Sequence, residues 1–535
     1  MGGVPYRSKG CNTCRRRKVK CDETRPECKR CLKYGYICTG YERKCVFIQH
    51  LTNDAKTLDQ SPHEPTKGQT VKGERRDLVD AHHDIPRFDV NPAIRTGFVA
   101  KFIDVFAPPS TVRDGNLGDV IHLQDTFPAF IGCSPILDRA VCALSLALLS
   151  KRNGDSPLLL YSAELYGEAL RMVHRRIQSG RKCDQDELFA TVVFQLYELV
   201  NCSSLGFNAW LAHIQGSNAI LAQGNSHCSS TITDHLFCRQ LKFVTVCDAI
   251  GMRKSAYSYG PFWRNQPEVN SWREPIDTIL DLVIECSALI EQTDNLIHHG
   301  NPSLQENICT GEKLLQSCLF IKDRLDLGFW EMQGKLGAPW SFPCRSPCWS
   351  ELNDSILQSL LANPIEFPSL TCAESHLLYW ATFILLYPLI DQLLIFLGWP
   401  RNNVPFKLWD VPSSESAMLM CSELPDHLIA VADHYASLIC RSAKLLVRSE
   451  GNAMGAQILL APLSQTAQFY RCIAASDKHR WCQAVFMQLA KLGFGIAPFL
   501  RDFVWPKYEA VTGKSTSITI RSRRRPSTGT IALVG

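Results

Sequence analysis

The sequence predicts a small cysteine-cluster domain of two short helix–loop halves, followed by a large all-α body. Three observations predict it. Six cysteines fall at regular spacing within the first 38 residues. Beyond about residue 86, apolar side chains recur at the helical period. Few alternating runs of the kind strands need compete with them. At 535 residues with 45% hydrophobic content, the chain has room for a large core beyond the cluster.

The cysteines Cys11, Cys14, Cys21, Cys28, Cys31 and Cys38 read C-x2-C-x6-C-x6-C-x2-C-x6-C, so the first three repeat as the last three. Zinc prefers four tetrahedral ligands, and C-x2-C lets two sulfurs of one short loop reach the same ion. Six thiolates cannot fill two separate four-ligand sites. They fill two if two sulfurs bridge, giving one compact cluster of two Zn²⁺ between two similar halves. A catalytic zinc keeps a position open for water, usually with His or carboxylate among its ligands. All six residues here are sulfur ligands and no His lies between Cys11 and Cys38, so a closed structural cluster is expected. About 40 residues bury too little apolar surface to fold alone, so metal binding should supply folding energy.

Charge is concentrated in the same segment. Residues 1–50 hold 13 Lys+Arg against 4 Asp+Glu, a formal +9, whereas the whole chain carries +5, so the rest of it carries −4. Local basicity on an acidic body is the footprint of a nucleic-acid-binding module. Arg15, Arg16, Arg17, Lys18 and Lys20 lie between the second and third cysteines. Six residues span about one and a half helical turns, so these side chains cannot all face one way.

This segment resembles the fungal binuclear zinc cluster family of transcription regulators. Every cysteine spacing matches, and Pro26 matches the family's proline in the loop joining the halves. The resemblance implies that Cys11 and Cys28 bridge the metals. One zinc would take Cys11, Cys14, Cys21 and Cys28, and the other Cys11, Cys28, Cys31 and Cys38. It implies that Lys18, with Arg17 beside it, reaches the guanines of a CGG triplet in double-stranded DNA. Arg15, Arg16, Lys20, Lys29, Arg30 and Lys33 are then left for phosphates. The implied function is sequence-specific regulation of RNA polymerase II genes in the nucleus, those of a metabolic or biosynthetic pathway. The implied partners are co-regulators or the transcription machinery, a second copy of the chain, and a small-molecule effector. Cys45 lies outside the pattern and is expected to stay a free thiol.

The expected organisation is 1–45 cluster domain, 46–85 flexible linker, 86–508 helical body and 509–535 disordered basic tail. The first 30 residues are polar and basic, which predicts no secretory signal peptide. The linker lacks the three or more apolar heptads that a dimerising coiled coil needs. Ala81-His82-His83-Asp84 and Cys344-x3-Cys348 offer metal-ligating side chains, but a solvated linker and a scattered pair are favoured. The 18 cysteines outside the cluster show no disulfide framework and are expected to act as small apolar residues.

In the body, Asp184 and Glu187 have capping-box spacing, and Phe189, Val192, Val193, Leu196 and Val200 follow one helical face. Trp210, His213 and Gly216 sit in a following helical stretch expected to close near Gly224, with His213 a satisfied packing residue. Asp186-Glu187-Leu188 through Tyr197-Glu198, then Trp210-x2-His213-x2-Gly216, resembles the fungal-specific transcription factor regulatory domain, an all-helical body. Leu377 to Ile390 is an unbroken apolar run. Asp391 falls inside any window of the roughly 20 residues that a membrane span needs, so a buried helix kinked at Pro388 and no membrane partner are expected. Leu424, Leu428, Val431, Tyr435, Leu438 and Leu445 recur at a spacing near 3.5. They form either a dimer seam or an amphipathic helix packing within its own domain, the latter favoured. No P-loop, GxGxxG turn, GxSxG elbow or HExxH is present, so no enzyme is expected.

Overall fold

The computed structural model describes residues 11, 13–14, 17, 19–24, 28–34, 38, 92–106, 122–202, 206–222, 231–263, 273–299, 303–341, 363–399, 428–447 and 453–505. Contacts divide the chain into two units, Met1–Asp84 and Ile85–Gly535. The expected linker and tail, Pro26, Gly224, Leu424, His82, His83 and the Cys344–Cys348 pair lie outside the described residues.

The first unit contributes one short helix, α1 (Lys29–Lys33), described with the metal centre below. Among its described residues the second unit is helical apart from a two-residue antiparallel pairing of β1 (Trp340–Ser341) with β2 (Ile365–Glu366). Its first half comprises α2 (Pro92–Phe106), a 3-10 helix (Leu123–Phe130), α3 (Pro135–Asn153), α4 (Ser156–Gln178), α5 (Gln185–Asn201), α6 (Gly206–Ala222) and α7 (Ile232–Gly251). Then come α8 (Pro275–His299), α9 (Leu304–Leu336), α10 (Leu370–Leu397), α11 (Leu428–Leu446), α12 (Ala453–Cys472), α13 (Ser476–Lys491) and α14 (Ala497–Asp502).

Local sequence sets the helix ends. Ser134 caps α3 with Pro135 in its first turn, and Gly154 ends it at φ 70°, in the left-handed region where glycine carries no Cβ penalty. At α5 the Asp184 N–H donates to Glu187 Oε2 at 2.9 Å, the reciprocal contact of a capping box. The periodic face behind it is buried: Phe189, Val192, Val193, Leu196 and Val200 are at most 4% exposed. Phe189 stacks on Phe237 of α7 with ring centroids 3.8 Å apart.

Helix α10 organises the second half, packing against α8, α9, α11 and α12. It is long and apolar enough to cross a membrane, yet most of its apolar window is buried inside the body. Asp391 is buried with it. The helix runs on through Pro388 to Gly398, which closes it at φ 67°. The leucine-spaced face of α11 is spent within the domain. Leu428, Val431 and Leu438 are buried, and Tyr435 stacks on Phe383 of α10 at 4.7 Å. Cys238 departs from the expectation that the cysteines outside the cluster act as small apolar residues: it is disulfide-bonded.

A buried polar network joins α4, α5 and α6. Tyr166 Oη lies 2.6 Å from Glu198 Oε1 and 2.7 Å from His213 Nε2, and its ring stacks on Tyr197 at 4.1 Å. Burial raises the Glu198 carboxyl and pushes His213 down to about 4, so the imidazole is neutral and bonded within the core. Tyr166→Phe would leave two buried polar groups short of a partner. It is expected to cost about 1–3 kcal/mol, read as a lower urea midpoint at unchanged m-value.

Candidate metal centre and nucleic-acid interface

The repeat in the sequence becomes a repeat in the backbone. In the first half the Cys14 N–H donates to Cys11 Sγ at 3.4 Å, and in the second the Cys31 N–H donates to Cys28 Sγ at 3.2 Å. In each half, one cysteine's sulfur therefore caps the turn that follows it by accepting the N–H three residues on, and in the second half Cys28 is the N-cap of α1. The third cysteine of each half returns to the first: the Cys11 N–H meets Cys21 Sγ at 3.3 Å, and the Cys28 N–H meets Cys38 Sγ at 3.4 Å. Backbone donors aimed at sulfur stabilise its thiolate form.

The sulfurs converge on one point. Cys11, Cys14, Cys28 and Cys31 are fully buried, and Cys21 and Cys38 half-buried, with Val19 packed against them. Two quartets have all four sulfurs within 4.8 Å of one another: Cys11, Cys14, Cys21, Cys28 and Cys11, Cys28, Cys31, Cys38. Cys11 and Cys28 belong to both. A zinc–sulfur bond of about 2.3 Å gives a tetrahedron with an edge of about 3.8 Å. Within the quartets, Cys11–Cys28 measures 3.7 Å, Cys14–Cys28 3.6 Å and Cys11–Cys31 3.8 Å. The donor set therefore fits zinc in kind, number and spacing. Across the two halves, Cys14 and Cys31 approach to 3.8 Å. Burial raises the Cys11, Cys14 and Cys28 thiols, so without a cation these sulfurs would be neutral. A bound divalent ion deprotonates them outright.

One structural residue carried no signal in the cysteine pattern. The Asp22 carboxylate accepts from Thr24 N at 3.0 Å and Lys29 N at 3.2 Å through Oδ1, and from Arg30 N at 2.6 Å through Oδ2. The first half thereby clasps the helix start of the second, where N–H groups lack intrahelical partners. These donors, the Thr24 hydroxyl first among them, hold Asp22 down at about 2. The D-x-T spacing of an Asx turn was the only trace of it in the sequence.

Of the basic residues, Lys20, Lys29, Arg30 and Lys33 are exposed, while Arg17 is half-buried. Arg30 Nη1 donates to the Lys20 carbonyl at 2.9 Å, which fixes the start of α1 beside the basic run. Leu32 and Tyr34 are exposed among them. Lys18, Arg15 and Arg16 lie outside the described residues.

The body presents no catalytic cysteine at its one close Cys–His approach among the described residues. Cys372 Sγ lies 3.4 Å from His376 Nδ1, but burial pushes the thiol up to about 12 and the imidazole down to about 4. That is the reverse of the thiolate–imidazolium pair a nucleophile requires.

Residues 9–45 match the family model of the fungal Zn(2)-Cys(6) binuclear cluster domain. Similar proteins include the "Transcriptional regulatory protein moc3" of Schizosaccharomyces pombe, 50% identical over 40 residues, 8% of each chain. The "Aspercryptin biosynthesis cluster-specific transcription regulator atnN" of Emericella nidulans is 62% identical over 32 residues, 6% of this chain and 5% of that one. The "Pestheic acid cluster transcriptional regulator 2" of Pestalotiopsis fici is 28% identical over 115 residues, 22% of this chain and 24% of that one. The matches thus span under a quarter of these relatives' length. Their names describe regulators rather than enzymes. No solved structure matches the chain.

Proposed function

We propose that residues 9–45, a fungal Zn(2)-Cys(6) cluster domain, hold two Zn²⁺ and deliver a sequence-specific transcription regulator to DNA. The observation that carries this is the pair of sulfur quartets sharing Cys11 and Cys28, on a segment carrying exposed basic side chains. Cys14 and Cys21 complete one site and Cys31 and Cys38 the other. Bound zinc supplies cross-links that a segment of this size lacks in its own core. The chain's own residues do the reading. Lys20, Lys29, Arg30 and Lys33 meet phosphates, as do Arg15 and Arg16, giving salt-dependent affinity that is blind to sequence. Lys18, with Arg17 beside it, reaches guanine edges of a CGG triplet in the major groove. Regulation is of RNA polymerase II genes in the nucleus, and the names of the cluster-specific relatives support a biosynthetic pathway as target. The helical body is the regulatory domain, whose partners are co-regulators, a second copy of the chain and a small-molecule effector.

The test is selection from a random DNA pool with zinc-loaded full-length protein at fixed salt, with a chelator control. Enrichment of a CGG triplet, lost on chelation, is expected. Lys18→Ala should then cost about 1–3 kcal/mol at the selected site and relax base preference. Arg15→Ala should weaken all sequences alike and lower the salt slope by about one. Identical behaviour of the two variants would refute the division between base reader and phosphate contact. No enrichment despite bound zinc would shift the cluster to a protein-interaction scaffold.

A further inference from the structure

We infer that the helical body binds a small apolar amine, about one ring in size, in the cavity lined by α5, α6, α7, α8, α10, α12 and α14, with its ammonium held by Glu374. This deepens the effector reading above by naming a ligand class. Its test reads binding to the body directly, so failure of the DNA reading would leave it standing.

The cavity measures about 160 Å³ and its wall is mostly apolar. An engineered hollow of roughly 150 Å³ in another protein takes benzene, so this one holds a single ring. Aliphatic and aromatic side chains form most of the lining; of the polar groups among them, Asp248 accepts from Tyr259 and Gln457 Oε1 from Gln124, while Glu374 and Gln195 Oε1 are left without a donor among the described residues. Glu374 has no hydrogen bond or ion pair among the described residues. Gln195 is fully buried; its Nε2 donates to Ser217 Oγ at 3.2 Å, but its Oε1 has no partner. Pro462, inside α12, lacks the N–H that would bond the Ile458 carbonyl one turn back, and both residues line the cavity.

The charge balance has the same sense. The cation that acts on Glu374 is Arg239, and it is already engaged. It meets Asp277 through Nε at 2.9 Å and Nη2 at 2.8 Å, and Glu274 through Nη1 at 2.6 Å. One guanidinium thus faces three carboxylates, and Glu374 is the one it does not touch. Burial raises the Glu374 carboxyl to about 7, so a ligand cation would complete its ionisation. An anion would meet net negative charge, and a neutral hydrocarbon would leave the acceptors unpaired. Trp210 Nε1, a donor without a partner at the same wall, provides for one acceptor atom elsewhere on the ligand.

The experiment is calorimetric titration of the full-length protein at pH 7 with three probes of one size: benzylamine, benzyl alcohol and benzoate. Benzylamine is expected to bind at least tenfold more tightly than benzyl alcohol, and benzoate not at all. Glu374→Gln should remove that preference while benzyl alcohol still binds. Ala461→Leu, which fills the cavity without touching its charges, should weaken benzylamine and benzyl alcohol alike by tenfold or more. Equal binding of amine and alcohol by the unmodified protein would overturn the inference, as would no binding of any probe. So would undiminished benzylamine binding by either variant. Because the comparison of probes needs no substitution, the inference stays testable even if Glu374→Gln fails to fold.

Discussion

Replacing Cys28 with serine is expected to strip residues 9–45 of bound zinc and abolish specific DNA binding, while Cys45→Ser leaves both intact. The size of the effect follows from where Cys28 sits. Its sulfur belongs to both quartets, caps α1 and accepts the Cys31 N–H. Structural zinc in small domains contributes about 10–16 kcal/mol of apparent binding energy, and that energy is folding energy. Each site would lose a thiolate at once, and a hydroxyl is a poor replacement at neutral pH. Metal content by atomic emission and binding to the selected DNA site are the two readouts. Cys14→Ser, which touches one quartet only, should have the smaller effect of the two cluster variants. Equal zinc content in Cys28→Ser and Cys45→Ser would contradict the bridging role.

Gly495→Ala is expected to destabilise the helical body by about 2–4 kcal/mol through a contact no neighbouring residue announces. The Gly495 N–H donates to the Val200 carbonyl at 3.0 Å, and the Ile496 N–H to the Leu199 carbonyl at 3.1 Å. Those carbonyls end α5, where the helix has no further N–H to offer them. The segment between α13 and α14 therefore completes a helix nearly 300 residues earlier. A Cβ on residue 495 would lie 2.6 Å from the Val200 oxygen and 3.0 Å from the Cys202 nitrogen, so backbone must move and both bonds loosen. Gly97→Ala is the control. It lies inside α2 with open space where its Cβ would go, and should be neutral or stabilising by about 0.5–1 kcal/mol. Melting of the two variants side by side decides the point: similar midpoints would show that the α5 end tolerates displacement.

These two residues mark what could and could not be read in the sequence. The cysteine cluster was legible because its chemistry is local: ligand type, spacing and repeat all fall within 28 residues, from Cys11 to Cys38. The core face of α5 was legible for a similar reason, since Phe189 through Val200 repeat at the period of one helix. The burial of α10 followed from its length and from Asp391. Gly495 was silent because its constraint comes from a helix end nearly 300 residues away in sequence. Asp22 was nearly silent because its partners, Lys29 and Arg30, come into reach only once the two halves fold together. The Glu374 cavity was wholly silent: seven helices must converge before one carboxylate is left without a partner. The leucine spacing of α11 was ambiguous on its own, and the stacking of Tyr435 on Phe383 assigns that face to the interior.

The sharing of Cys11 and Cys28 also bears on how the domain responds to scarcity. If the first ion orders both shared sulfurs and, through the Asp22 clasp, the second half as well, the second ion finds its site already assembled. Its ordering entropy would then already have been spent, so loading would be cooperative and singly occupied molecules rare. Falling zinc supply would then reduce the number of competent molecules while leaving each survivor at full strength. The output would behave as a census of loaded protein, with a threshold steeper than one independent site could give.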